Sequence, residues 1–488
     1  MIGLPTMHHP MLNTARNRRE FLKKAGLGCG ALALTSLLHQ EGVIGATPST
    51  SNPLSPRPSH FAPRAKAVIW LFQTGSPSQV DTFDYKPELQ KRDGTSLAGA
   101  DPKTGFFTTS GKCLKSPFKW AQHGESGAWT SEIFPHISKH VDDIAFVYSC
   151  YSRSNNHTPA LLELNSGMIR QGFPSMGSWL GYGLGSQNSN LPAFVVMHGK
   201  KPRGGDPIWS SGFLPSVYQA TALDPRGKKP IKNLERPGEL TGAQQRSLLD
   251  TLRAANARHA RRRPFDGDLN ARLESFELAY RMQTAAPEAI DINLETAATQ
   301  EAYGLNRDES KDYGRQCLIA RRLIERGVRY VQVFADVAKT PGGGVNDVPW
   351  DAHSDVRVNH STCAASVDQP TGALLQDLKQ RGLLDDTIVI YGGEFGRTSD
   401  SQGSAGRDHN PNAFTTWFAG GGFKGGTLYG ASDEFGYKSV EKRVNAHDIQ
   451  ATVLHLMGLD HEKLTYRFNG RDFRLTDVEG QVLHEILA

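Results

Sequence analysis

Short apolar runs that stop abruptly at glycine or a polar cluster constrain this chain most. They fall at Ala67–Phe72, 144–148, 193–197, Tyr330–Phe334 and 387–391. Runs this short and this evenly apolar have no wet face, as expected of strands buried on both sides of a parallel sheet. Helical patterns lie between them, at 316–326 before the run at 330 and at 370–382 before the run at 387. Strand and helix in alternation predict an α/β fold, a mostly parallel sheet flanked by helices. Residues 200–310 are polar and basic, with helical patterns at 243–262 and 268–282, and are expected to form a helical insertion beside the sheet. Ligands of open parallel sheets bind beyond the carboxyl ends of the strands, so the chemistry is expected just after the apolar runs.

Ahead of the first run stands Asn17-Arg18-Arg19-Glu20-Phe21-Leu22-Lys23, then a mild apolar stretch at 25–38 rich in Gly and Ala. Paired arginines in this order resemble a twin-arginine export signal. The apolar stretch is too short to span a bilayer. Residues 1–46 are therefore expected to be removed near Ala46, leaving a flexible Pro- and Ser-rich tether at 47–65 and one domain at 66–488. The expected destination is the periplasm or the medium. Replacing Arg18 and Arg19 together by Lys should hold the protein in the cytoplasm on cell fractionation; its appearance outside would overturn this reading. Of the formal charge of +5, residues 1–46 carry five basic and two acidic side chains, so the remainder is near neutral. No nucleic-acid partner and no stable membrane insertion after cleavage follow from that balance, and it sets no oligomeric state. Cys113, Cys150, Cys317 and Cys363 are irregularly spaced, with no CxxC pair, so they indicate neither a disulfide framework nor a zinc knuckle.

Polar clusters follow the apolar runs as the fold class requires. Trp350-Asp351-Ala352-His353 comes after the run at 330, and a carboxylate and an imidazole two residues apart can bite one cation. A surface Asp and a hydrogen-bonded His would look the same. Gly392-Gly393-Glu394-Phe395-Gly396-Arg397 follows the run at 387, and its glycines let the backbone present Glu394 at the sheet edge. Arg397 can pair with Glu394, or its planar fork can clamp an oxyanion. Arg407-Asp408-His409-Asn410 precedes a short strand near 413–418 and a glycine-rich stretch. That stretch lacks the order of a phosphate-binding loop and is expected to connect edge elements. His447 to Met457 carries a helical apolar face, with Asp448 near its start and Gly458 at its stop.

These segments carry a resemblance. HDIQATVLHLMGL resembles the late helix of sulfatases and phosphoglycerate mutases in the alkaline phosphatase superfamily. TIVIYGGEFGRT resembles their penultimate strand, and NNHTPALLELNSG their nucleophile segment. PSQVDTFDYKP, PSMGSWLGYGLGS, WDAHSD, GGEFGRT and GRDHN together resemble an exported bacterial family, domain of unknown function 1501, over nearly the whole chain from about residue 66. The resemblance implies an alkaline-phosphatase-like fold and metal-dependent hydrolysis of a phosphate or sulfate ester, the partner being a small anionic ester or a sulfated or phosphorylated glycan. It implies Asp351, His353 and His409 as ligands of one divalent metal, zinc or manganese by their nitrogen content. Glu394 and Asp81 would serve a second ion or orient water, Thr158 or His157 would act as nucleophile or base, and Arg397 would clamp the anion. The chain departs from the superfamily where its first strand ends Phe72-Gln73-Thr74-Gly75 without an Asp, and where Phe395 replaces a ligand. With no Cys-x-Pro-Ser-Arg around His157, a formylglycine mechanism is excluded there. The alternative expectation is a non-catalytic descendant that binds an anionic glycan or a partner protein.

Overall fold

The computed structural model of the chain describes residues 52–488 apart from 98–100, 102, 108, 228, 237, 263–266, 336 and 338–347. The export signal and the first residues of the tether lie outside the described residues. Eight strands form the central sheet: β1 (Ala67–Phe72), β2 (Ile144–Cys150), β3 (Phe194–Met197), β4 (Thr221–Leu223), β5 (Tyr330–Phe334), β6 (Thr387–Gly392), β7 (Phe414–Ala419) and β8 (Leu428–Tyr429). Their order across the sheet is β8-β2-β7-β6-β1-β5-β3-β4. Every residue of β1, β5 and β6 is buried. Fully burying each large apolar side chain contributes about 1.5–3 kcal/mol, which is why these runs take the centre.

Only β7 runs against the others, pairing antiparallel with both β2 and β6. This places the site. Phe72 lies level with Phe334 and with Gly392, so the carboxyl ends of β1, β5 and β6 open onto one edge. Phe414, where β7 begins, lies level with Cys150, where β2 ends. Residues that precede β7 therefore reach the same edge as residues that follow the parallel strands.

The helices include α1 (His157–Ser166), α2 (Met176–Leu184), α3 (Gly242–Arg262), α4 (Gly267–Ile290), α5 (Lys311–Glu325), α6 (Val356–Gln380) and α7 (Ala446–Leu456). The insertion at 200–310 is helical through α3 and α4, but it also supplies the edge strand β4, paired parallel to β3. Helix α6 begins fourteen residues before the sequence pattern indicated. Asp355 caps it, accepting from Val358 N–H at 3.0 Å, and Pro370 sits inside it. Proline removes one helical hydrogen bond, and here the buried face on either side of it carries the helix through. At α7, Asn445 and Asp448 form a reciprocal capping box.

Residues 52–65 correct the tether expectation. Arg57 N–H donates to Leu184 O, His60 N–H to Gly458 O, and Arg64 and Ala65 N–H to Leu456 O, while Leu54 and Ala65 are buried. Proline suits extended docked chain as well as free chain, and composition does not separate the two. No helix among the described residues is long and apolar enough to cross a membrane.

Candidate functional site

Four side chains from separate segments converge on one carboxylate oxygen. Asp351 Oδ1 lies 2.8 Å from His353 Nε2, 3.1 Å from His409 Nε2, 3.3 Å from His157 Nε2 and 2.7 Å from Arg397 Nη2. The loop after β5 brings Asp351 and His353, the first turn of α1 after β2 brings His157, the loop after β6 brings Arg397, and the approach to β7 brings His409. The sheet edge gathers them.

The histidines are oriented. His409 Nδ1 donates to the carbonyl of Asn155 at 2.6 Å, so its neutral ring turns an unprotonated Nε2 toward Asp351. Burial pushes His409 down to about 4, which keeps that ring neutral. His353 Nδ1 lies 2.5 Å from Gln402 Oε1, and its Nε2 stands 3.1 Å from that of His409. Two nitrogens whose outer partners fix their tautomers, facing each other across a carboxylate oxygen, form a donor set that a divalent cation satisfies. Bonds of ~2.0–2.1 Å to tetrahedral zinc place neighbouring ligand atoms about 3.3 Å apart, close to the spacings here. His157, Asp351 and His409 group with ligand spacing, and so do His353, Asp408 and His409.

Burial alone would raise the Asp351 carboxyl. The Arg397 guanidinium and the imidazoles outweigh it and hold the group well below the usual carboxylate range. His157 is pulled both ways. Burial lowers it, but hydrogen bonding to Asp351 and Glu394 raises it overall. Its Nδ1 lies 2.6 Å from Glu394 Oε1, which also accepts from Gly75 N–H at 2.9 Å. Gly75 has φ +90°, and a Cβ there would come within 2.8 Å of the Trp350 and Asp351 backbone nitrogens, so this turn admits glycine alone. Glu394 Oε2 and Arg397 Nη1 are buried without hydrogen-bond partners among the described residues.

Other expected residues stand elsewhere. Arg397 pairs with Asp351 rather than Glu394, and it also donates to the carbonyls of Gly75 and Ser76. Its guanidinium is wholly buried. Asp81 is engaged by Arg407 at 2.5 and 3.2 Å and by the Ser78 hydroxyl at 2.5 Å, and it makes no hydrogen bond or ion pair with the Asp351 cluster. Thr158 likewise makes no hydrogen bond to the cluster, and its methyl faces Gly204. Asp408 belongs to the polar cluster quoted with His409 in the sequence, whereas no sequence signal marks Asn155 or Gln402 as partners of the histidines.

A family model described as "Protein of unknown function (DUF1501)" matches residues 65–487. No curated protein matches the chain. Among solved structures, the lipoteichoic acid synthase LtaP from Listeria monocytogenes is 12% identical, over 86% of this chain and 78% of that one, with a TM-score of 0.34. A protein in the alkaline phosphatase superfamily from Vibrio parahaemolyticus is 12% identical, over 88% and 76%, with a TM-score of 0.34. The PsFucS1 sulfatase from Pseudoalteromonas sp. is 13% identical, over 82% and 68%, with a TM-score of 0.34. TM-scores this low say nothing of chemistry; only the chain's own side chains do.

Proposed function

This chain belongs to the DUF1501 family, and we propose that it is an exported metal-dependent hydrolase of phosphate or sulfate esters. The observation that carries the reading is the convergence of His353 Nε2 and His409 Nε2 on Asp351 Oδ1, at 2.8 and 3.1 Å. Asp351, His353 and His409 would hold one divalent ion, zinc or manganese, with His157 and Glu394 beside it. Such an ion polarises an ester oxygen and makes bound water acidic at neutral pH.

The chain's own groups divide the remaining work. Asn155 and Gln402 keep the two imidazoles in the ligating tautomer. Arg397 holds Asp351 in register from inside the protein. In its neutral form His157 keeps the Nδ1 proton toward Glu394 and presents Nε2 as the base for an attacking water. The water oxygen adds to phosphorus or sulfur as its proton passes to His157 Nε2, the bond from phosphorus or sulfur to the ester oxygen breaks, and the departing alkoxide takes up a proton from the His157 imidazolium to leave as the alcohol. Water takes the nucleophile's part in this scheme because the Thr158 side chain has no hydrogen bond to the cluster.

Metal addition tests the reading before activity does. Zinc or manganese should raise the melting temperature of the purified protein, because a ligand at a hundred times its Kd stabilises the native state by about 2.7 kcal/mol. His353→Ala and His409→Ala should each lose that shift and the metal found by elemental analysis. A protein that melts alike with and without these ions, and leaves aryl phosphates and sulfates untouched, would be better described as a binder of anionic glycans or of a partner protein.

A further inference from the structure

Phe106 and Phe107 sit above the cluster and have no part in the scheme so far. They are adjacent, 48% and 51% exposed, and packed edge to face with centroids 5.0 Å apart. A single exposed phenylalanine is ordinary; a pair packed on the imidazoles of a buried polar cluster is not. Phe107 meets His353 edge-on at 4.9 Å, and Phe106 lies 5.6 Å from His409. The phenyl rings thus rest on the two imidazoles that face Asp351.

Their loop is seated by the site itself. Phe107 N–H donates to Asp408 Oδ2 at 2.6 Å, Asn155 Nδ2 donates to Gly105 O at 3.0 Å, and Asn412 Nδ2 to Thr104 Oγ1 at 3.2 Å. Asn155 also orients His409 through its carbonyl, and Asp408 accepts from His409 N–H at 2.7 Å. A Cβ on Gly105 would collide with the Asp408 carboxylate, so a larger residue there displaces the loop or the carboxylate that seats it. The rings are therefore held in place over the histidines.

We infer that Phe106 and Phe107 form a ring-binding rim and are specificity-determining residues: the substrate turns its ester toward Asp351 and lays a flat apolar ring face, aryl or pyranose, on the two phenyls. The ester half rests on the hydrolase reading, and the ring half rests on the phenyls alone. Aromatic faces reward offset or edge-on contact with another ring, and a methyl group offers no such face.

The experiment compares ring-bearing and ringless anions by calorimetry on the zinc- or manganese-loaded protein, so that no turnover is needed. The pairs are phenylphosphonate with methylphosphonate, and glucose 6-sulfate with ethyl sulfate. The native protein should hold at least one ring-bearing member about tenfold more tightly than its ringless mate. The pair that shows the preference identifies the ring as aryl or pyranose. In Phe106→Ala/Phe107→Ala the ratio should fall to within about twofold of unity, and Gly105→Ala, which displaces the loop or its seat, should lower it as well. Equal affinities in both pairs, or a preference that survives the double substitution, overturns the inference. A ring preference in a protein that hydrolyses no ester ends the hydrolase reading alone, while hydrolysis without ring preference ends this inference alone.

Discussion

Asp351→Asn should strip the bound metal, reduce ester hydrolysis more than about a hundredfold, and destabilise the fold by about 3–5 kcal/mol. The stability loss follows from Arg397. Its guanidinium is wholly buried, and Asp351, at 2.7 Å, is the anion paired with it. An amide keeps the shape of the carboxylate and removes its charge, leaving a buried cation without a counter-ion. Activity and metal go for a separate reason, since the imidazoles of His353, His409 and His157 all lie within 3.3 Å of the same Oδ1. Urea unfolding of the metal-free protein isolates the first effect, and elemental analysis with a phosphate and a sulfate ester isolates the second. A variant that unfolds like the native protein and still carries its metal would remove Asp351 from the centre of the site.

Burial on both faces made the central strands legible in the sequence, because β1, β5 and β6 have no polar side to confuse the pattern. Glu394 was legible for the same reason, lying just beyond such a run, and Asp351 and His353 form the next polar cluster after the run at 330. His409 was harder. It precedes a strand, and only the reversed direction of β7 brings it to the shared edge, so its place was taken from family resemblance rather than from position. The helical pattern at 370–382 starts at Pro370, a residue suited to a helix's first turn, whereas α6 is capped at Asp355, as ordinary in sequence as any other aspartate in the chain. The partners of Arg397 and Asp81 could not be read at all. A buried arginine finds its carboxylate through the fold, and Arg407 is separated from Asp81 by most of the domain's length. The same holds for Asn155 and Gln402, which orient histidines through a backbone carbonyl and a side-chain amide that no sequence motif marks.

Arg407→Met should destabilise the protein by at least about 3 kcal/mol, the usual cost of breaking a fully buried ion pair from one side. Arg407 and Asp81 are both wholly shielded from solvent, and the pair is bidentate at 2.5 and 3.2 Å. The same guanidinium donates to the carbonyls of Thr398, Ser399 and Leu114 at 2.9, 3.2 and 2.8 Å. Methionine fills the volume but leaves a buried carboxylate and these carbonyls without their donor. Arg407→Lys keeps the charge and loses the fork, so it should fall between the native protein and Arg407→Met. The consequence reaches the site along two residues of backbone, since Arg407 leads directly through Asp408 to His409 and anchors the segment that carries it. Asp81→Asn combined with Arg407→Met should cost less than the two single changes together, by about 1–3 kcal/mol, because the double variant no longer buries an unpaired charge. Denaturant unfolding of the two single variants and the double variant measures that coupling. Metal content decides what Asp81 does. If Asp81→Asn lost the metal while Arg407→Met kept it, Asp81 would be a ligand; a loss of stability in both with metal retained in Asp81→Asn makes it the counter-ion that holds Arg407, and through it His409, in place.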